Sequence, residues 1–245
     1  VANTFLKAVR IWPNANPSDL SWVMVYRAYC DQYNHPSEYS RLDFTQSWKR
    51  TGGWALERVL EQHYAPALAK HGINLVIADV ERTQRLLKDV KVNSHRLEAD
   101  KMDVLLTVGS GSREKLIGVV HVKASFAERR TDDVPMSHAL VKAGYISPLW
   151  TMDCKSMPSK NPINRGELGN VYDGTGKDTR SAKRKDIEDD AYFSGCFSYN
   201  KDTKPTPGSY PARARIAICD FSDPNDAFTQ FIVQERKRVK AELGI

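Results

Sequence analysis

The chain has 245 residues, 41% hydrophobic and 27% charged, a balance that fits a folded protein in water and excludes a wholly disordered one. No run approaches the roughly 18 consecutive apolar residues of a membrane span, and Val1-Ala2-Asn3-Thr4 carries neither the basic stretch nor the apolar run of a secretory signal. Lys and Arg number 36 against 30 Asp and Glu, a net charge of +6 that permits a polyanionic partner without requiring one.

Asn16-Pro17-Ser18-Asp19 reads as a helix start, with Asn16 as cap and Pro17 in the first helical position. Leu20, Val23, Met24 and Ala28 recur at helical spacing and carry that helix to about Tyr33. A second helix is expected over Gln46 to Lys70, with Leu56, Val59, Leu60 and Tyr64 as its apolar stripe and His71-Gly72 as its end. Then the period changes. Ile73 to Val80 reads as a strand, and Met102 to Val108 and Lys115 to Ser125 read as two more, joined as a hairpin through Gly109-Ser110-Gly111-Ser112. A helix over Met136 to Ala143, a strand near Ile146 to Met152, a strand over Ala214 to Phe221 and a terminal helix from Asp223-Pro224 complete the pattern.

Between the last elements lies Lys155 to Ala212, which holds six Gly, five Pro, ten Lys or Arg and eight Asp or Glu. A structureless loop of this length is uncommon unless it is functional, so it is expected to be a loop-rich insertion that orders on a ligand. The organisation expected is a single domain: a helical N-terminal region over 1–45, a core over 46–153, the insertion over 154–212, and a strand and helix over 213–245. Cys30, Cys154, Cys196 and Cys219 form no CxxC pair, which points to reduced thiols in the cytoplasm rather than to a metal ribbon or a disulfide framework.

The chemistry concentrates in the hairpin. Asp103 opens one apolar strand and Lys123 closes the next, so the hairpin brings their ends together. Alternation along Val119, His121 and Lys123 places the imidazole and the ammonium on one face. A carboxylate can hold Mg2+, and a lysine can orient or deprotonate a water or neutralise charge on a phosphorane. Asp and Lys at strand ends are also ordinary features of exposed edges. On the preceding helix, Glu57 and Glu61 share a face at i, i+4, where a bound cation would relieve their repulsion.

The order of these parts resembles the PD-(D/E)xK nucleases. The segment from Ser47 through Gly52-Gly53 to Glu57, then Asp103, then Val122-Lys123-Ala124-Ser125, is most similar to the type II restriction endonucleases that cleave CCGG-containing sites. The resemblance covers about Gln46 to Asp153. It implies an α/β (α+β) fold with a mixed central sheet flanked by helices, Mg2+-dependent cleavage of double-stranded DNA, and a homodimer on a palindrome. By position it makes Asp103 the central metal ligand, Lys123 the motif lysine and Glu57 the helix carboxylate. Met102 stands where the family often has proline, and His121 stands where the motif expects Asp or Glu. Either Glu57 supplies the missing carboxylate, or His121 has a hydrogen-bonding role, or the site is inactive. The first is favoured, and it predicts that Glu57→Ala abolishes cleavage while DNA binding survives.

In the resembling enzymes, residues just past the catalytic strand read bases, which here assigns Ser125, Glu128, Arg129 and Arg130. Arg donates twice to guanine and a carboxylate accepts from cytosine, so Glu128 beside the two arginines suits a G·C-containing site. Lys183-Arg184-Lys185 in the insertion is expected to touch phosphates. Tyr192, Tyr199 and Tyr210 could stack on bases, with ordinary packing the simpler reading. A repair nuclease or junction resolvase of the same superfamily, and a catalytically silent DNA-binding protein, are the alternatives.

Overall fold

The computed structural model describes residues 1–21, 23, 44–90, 92, 97–125, 130–154, 166–172, 174 and 177–244. Helix α1 (Ala2–Ile11) buries Phe5, Leu6, Ala8 and Val9, and a second helical segment begins at residue 17. Asn16 caps it as expected, its Oδ1 accepting from Ser18 N at 3.2 Å. Helix α2 (Phe44–Ala69) leads into β1 (Asn74–Ile77), and α3 (Val80–Leu87) follows. The hairpin is β2 (Val104–Val108) and β3 (Lys115–Lys123); α4 (Arg130–Lys142) then precedes β4 (Leu149–Thr151). The chain ends with α5 (Ala182–Glu188), β5 (Cys196–Ser198), β6 (Ile216–Ile218) and α6 (Ala227–Leu243).

The six strands make one mixed sheet in the order β1-β2-β3-β4-β5-β6. Strands β1, β2 and β3 are antiparallel, while β3 to β6 run parallel. The switch follows from the connections. A short Gly/Ser turn can only return antiparallel, whereas α4 supplies the crossover that a parallel neighbour needs. Among the described residues no helix is long and apolar enough to cross a membrane.

A bulge in β3 sets which residues face which layer. Leu106 pairs with Gly118 but Thr107 pairs with Leu116, which leaves Ile117 as the extra residue. Ile117, Val120 and Val122 join Val104 and Leu106 in a core covered by Leu56, Val59, Leu60 and Tyr64 of α2. Leu116 and Val119 join Leu105 in a second core under Met136 and Leu140 of α4. Gly118 is required by close approach: a Cβ there would lie 2.2 Å from the Ile146 carbonyl oxygen. Trp150 fills the centre of the first core, fully buried with its ring 4.5 Å from Tyr199.

Several sequence expectations shift. The strand expected over Ile73 to Val80 ends at Ile77, and α3 begins at Val80, its N-cap Asp79 accepting from Arg82 N. The helix expected from Met136 already starts at Arg130, with Pro135 inside it. The insertion is no mere excursion, since it supplies α5 and the internal strand β5. The expected course of the first helix from Met24 to Tyr33, and Cys30, lie outside the described residues. Cys154, Cys196 and Cys219 are buried and in no disulfide.

The insertion is anchored to the end of β4 by Asp153, which holds a left-handed φ of 46°. Its Oδ1 accepts from Glu167 N at 2.6 Å and Leu168 N at 3.2 Å, and its Oδ2 accepts from Thr203 Oγ1 at 2.5 Å. Burial, only partly offset by these bonds, pushes its carboxyl above the ordinary aspartate range. Gly166 must be glycine, with φ +71° and a would-be Cβ 2.2 Å from Asp153 Oδ2.

Candidate active site

Asp103 immediately precedes β2, and its Oδ2 accepts from Val122 N at 2.8 Å and from Lys123 Nζ at 2.7 Å. The side chain thereby extends the hairpin's hydrogen bonding by one rung and fixes its own direction. Past the bulge, strict alternation puts His121 and Lys123 on the face that α4 covers. From that helix comes a residue the sequence reading had not singled out, Asp133. Its Oδ1 lies 3.4 Å from Lys123 Nζ and 3.7 Å from His121 Nδ1.

These groups are enclosed. Side-chain exposure is 0% for His121, 4% for Asp133, 8% for Lys123 and 11% for Asp103. Burial disfavours the charge on Asp133, but the Lys123 ammonium and the other groups facing it outweigh this and hold the carboxyl below the ordinary aspartate range. Lys123 is thus the shared counter-charge of two carboxylates.

Asp103, His121 and Asp133 each offer a ligand atom, and all three atoms lie within 4.8 Å of one another. Two buried atoms in this group, His121 Nδ1 and Asp133 Oδ2, have no hydrogen-bond partner. Unspent donor capacity converging in so small a volume fits a divalent cation. Glu57 is not in the group. Its helix packs Leu56, Val59 and Leu60 on the other face of the sheet, whereas His121 and Lys123 face α4. Glu57, expected to pair with Asp103, lies outside this cluster, and Asp133 is a second carboxylate beside Asp103. A signal for it was present in the sequence: Asp133, Met136 and Leu140 are i, i+3, i+7, one face of a helix that starts before Pro135.

A curated relative, the type II restriction enzyme AgeI of Thalassovita gelatinovora, is 36% identical over 243 residues, 96% of this chain and 83% of the relative. The chain belongs to the type II restriction endonucleases. No protein-family model matches it. The crystal structure of the specific restriction endonuclease AgeI–DNA complex aligns with this endonuclease at a TM-score of 0.80 and 35% identity, over 96% of this chain and 82% of that one. The mixed sheet with flanking helices is therefore the restriction-endonuclease fold. Enzymes of this kind hydrolyse DNA site-specifically and need a divalent metal.

The expected DNA contacts of this endonuclease fall in three places. Ser125 directly follows β3 by two residues and is half-buried. Glu128 and Arg129 lie outside the described residues, and α4 opens at Arg130. In the insertion, Arg184 is turned inward and fully buried. Its Nη1 donates to Glu188 at 2.8 Å, its Nε to the Leu168 carbonyl at 3.1 Å and its Nη2 to the Lys204 carbonyl at 2.6 Å. The expected phosphate contact by Arg184 gives way to a structural one, because every guanidinium nitrogen is spent inside the protein. Lys183 pairs with Glu167 at 2.7 Å and Lys185 with Asp178 at 3.1 Å, the latter lysine partly exposed.

The insertion tyrosines pack rather than project. Tyr199 is buried and hydrogen-bonded to Tyr64, Tyr192 lies against His138 at 4.9 Å, and the Tyr210 ring covers the Arg180 guanidinium at 4.7 Å. Arg180 in turn binds Asp178, Glu188 and Asp189. Arg180, Lys183, Arg184 and Lys185 thus all pair with acidic groups of the same segment.

Proposed function

We propose that this endonuclease cuts both strands of double-stranded DNA at a short CCGG-containing sequence, using Mg2+ held by Asp103 and Asp133. The observation that carries the reading is the enclosed Asp103–Lys123–Asp133 group at the hairpin edge. It offers two carboxylates for the cation and an ammonium 2.7 Å from one of them. The bound cation would polarise the phosphoryl oxygen and favour hydroxide formation.

The protein's own groups do the rest. Asp103, held by Val122 N, presents a carboxylate of fixed orientation. Lys123 holds the attacking water through Nζ and offsets the negative charge that develops on the phosphorus oxygens. Enclosure strengthens both effects, since water screens them poorly there. Glu57, half-buried on α2, is left an outer position in the site. Ser125, Glu128, Arg129 and Arg130 read the bases, and Lys183 and Lys185 contribute contacts to phosphate. A homodimer would present one such site to each strand of a palindrome, in the cytoplasm.

Incubating phage DNA with the protein in Mg2+ or in EDTA tests this reading. Discrete fragments that require Mg2+ are expected. A smear would replace site-specific cleavage by nonspecific hydrolysis, and binding without any cleavage would make the group a silent remnant.

A further inference from the structure

The contacts around His121 favour one tautomer. Its Nε2 lies 3.0 Å from Ser147 Oγ. Ser147 Oγ lies 2.8 Å from Ser137 Oγ, and Ser137 Oγ also donates to the Ser147 carbonyl at 3.2 Å. One assignment satisfies all three contacts together: the single hydrogen of Ser137 goes to the carbonyl, which can only accept. The hydrogen in the contact between the two hydroxyls must then come from Ser147. With its own hydrogen spent, Ser147 Oγ can only accept from the imidazole. In that assignment Nε2 carries hydrogen, and Nδ1 is the nitrogen left with a free lone pair when the ring is neutral.

That nitrogen is fully buried and lies 3.7 Å from Asp133 Oδ1, longer than a hydrogen bond, while Asp133 Oδ2 is likewise unpartnered. Phe193 packs edge-on against the ring at 5.4 Å and leaves it little freedom to turn. We propose that His121 Nδ1 is a metal ligand, completing a set of two carboxylates and one imidazole that takes Mn2+ in preference to Mg2+. A nitrogen donor discriminates in this direction, because Mg2+ favours oxygen ligands and imidazole suits the transition ions. Ser147 and Ser137 are positioning residues: they fix the tautomer from the far side of the ring, as the outer hydrogen bonds of metal-bound histidines do. The inference rests on the proposed metal site but assigns its third ligand and its ion preference.

The probe is Mn2+ alone, added to the full chain without DNA, read by electron spin-echo envelope modulation. Nitrogen modulation from a coordinated imidazole is expected, with the 15N pattern replacing the 14N pattern when histidine is labelled. The modulation should vanish in His121→Gln while Mn2+ still binds. Ser147→Ala should keep the fold and weaken Mn2+ by roughly tenfold or more, which guards against a His121 variant that does not fold. Bound Mn2+ without nitrogen modulation, modulation that survives His121→Gln, or no binding of Mn2+ at all would each overturn the proposal. Metal-dependent cleavage without nitrogen coupling would sink the ligand assignment and leave the nuclease intact. Nitrogen coupling without cleavage in any metal would sink the nuclease reading and leave the metal site.

Discussion

Lys123→Met should make the folded protein depend on the metal. In the wild type one ammonium neutralises Asp103 at 2.7 Å and Asp133 at 3.4 Å, all three side chains at or below 11% exposure. Removing it strands two carboxylates in a poorly solvated space, and breaking a buried pair in this way costs about 3–5 kcal/mol. For a chain of this size each kcal/mol moves the melting temperature by about 2–4 °C, so a fall of roughly 6–20 °C is expected in EDTA. Mg2+ should return part of it, since a ligand at a hundred times its Kd adds about 2.7 kcal/mol. In the wild type the gain should be smaller, because the cation and the ammonium compete for the same negative charge. Differential scanning fluorimetry of both proteins, with EDTA and with a Mg2+ series, measures this directly. Equal metal-induced shifts in the two proteins, or an unaltered melting temperature for Lys123→Met in EDTA, would refute the shared-counter-ion argument. Cleavage by the variant should be lost under every condition.

Asp133→Asn should abolish Mg2+-dependent cleavage, while Glu57→Gln should retain a measurable part of it; a phage-DNA digest of both decides which carboxylate is the metal partner of Asp103. Arg129→Ala should relax or destroy site choice without removing hydrolysis, visible as a changed fragment pattern on the same substrate. Arg184→Met should lower stability by about 3 kcal/mol in urea unfolding, for loss of a buried ion pair with Glu188, yet leave the salt dependence of DNA binding unchanged. Glu114 adds a pH signature: burial raises the cost of its charge, but Arg82, Arg85 and Thr107 overcome this and lower its carboxyl from 4.5 to about 2. A depressed carboxyl stabilises the fold above its unfolded value, so about 3 kcal/mol should be lost as pH falls from about 4.5 through 2. Glu114→Gln should be less stable at pH 7 and show a flatter acid limb.

The hairpin was legible because β-period alternation is intact from Val119 to Lys123, on the far side of the bulge, where the site residues lie. The α2 stripe of Leu56, Val59, Leu60 and Tyr64 was legible for the same reason, at helical period. Asp133 was hidden by Pro135, which reads as a helix boundary although it lies inside α4. Strand β5 was hidden by its brevity: three residues in a Gly- and Pro-rich segment carry no period, and only their pairing with β4 and β6 makes them a strand. Within the basic run at 183–185, Arg184 misled because charge is visible in sequence and direction is not. Only the fold shows that Arg184 points inward, to Glu188 and two carbonyls.

Asp153 gives the insertion a property of its own. One carboxylate gathers Glu167, Leu168 and Thr203, and its main-chain oxygen accepts from Asn200 at 3.1 Å. Both ends of the segment between Asp153 and Gly166 are therefore pinned to the same spot beside the sheet. The entropy of closing a chain segment rises only slowly with its length. A change in the length of chain between those two points would therefore leave β4 and the Asp103–Lys123–Asp133 group in place.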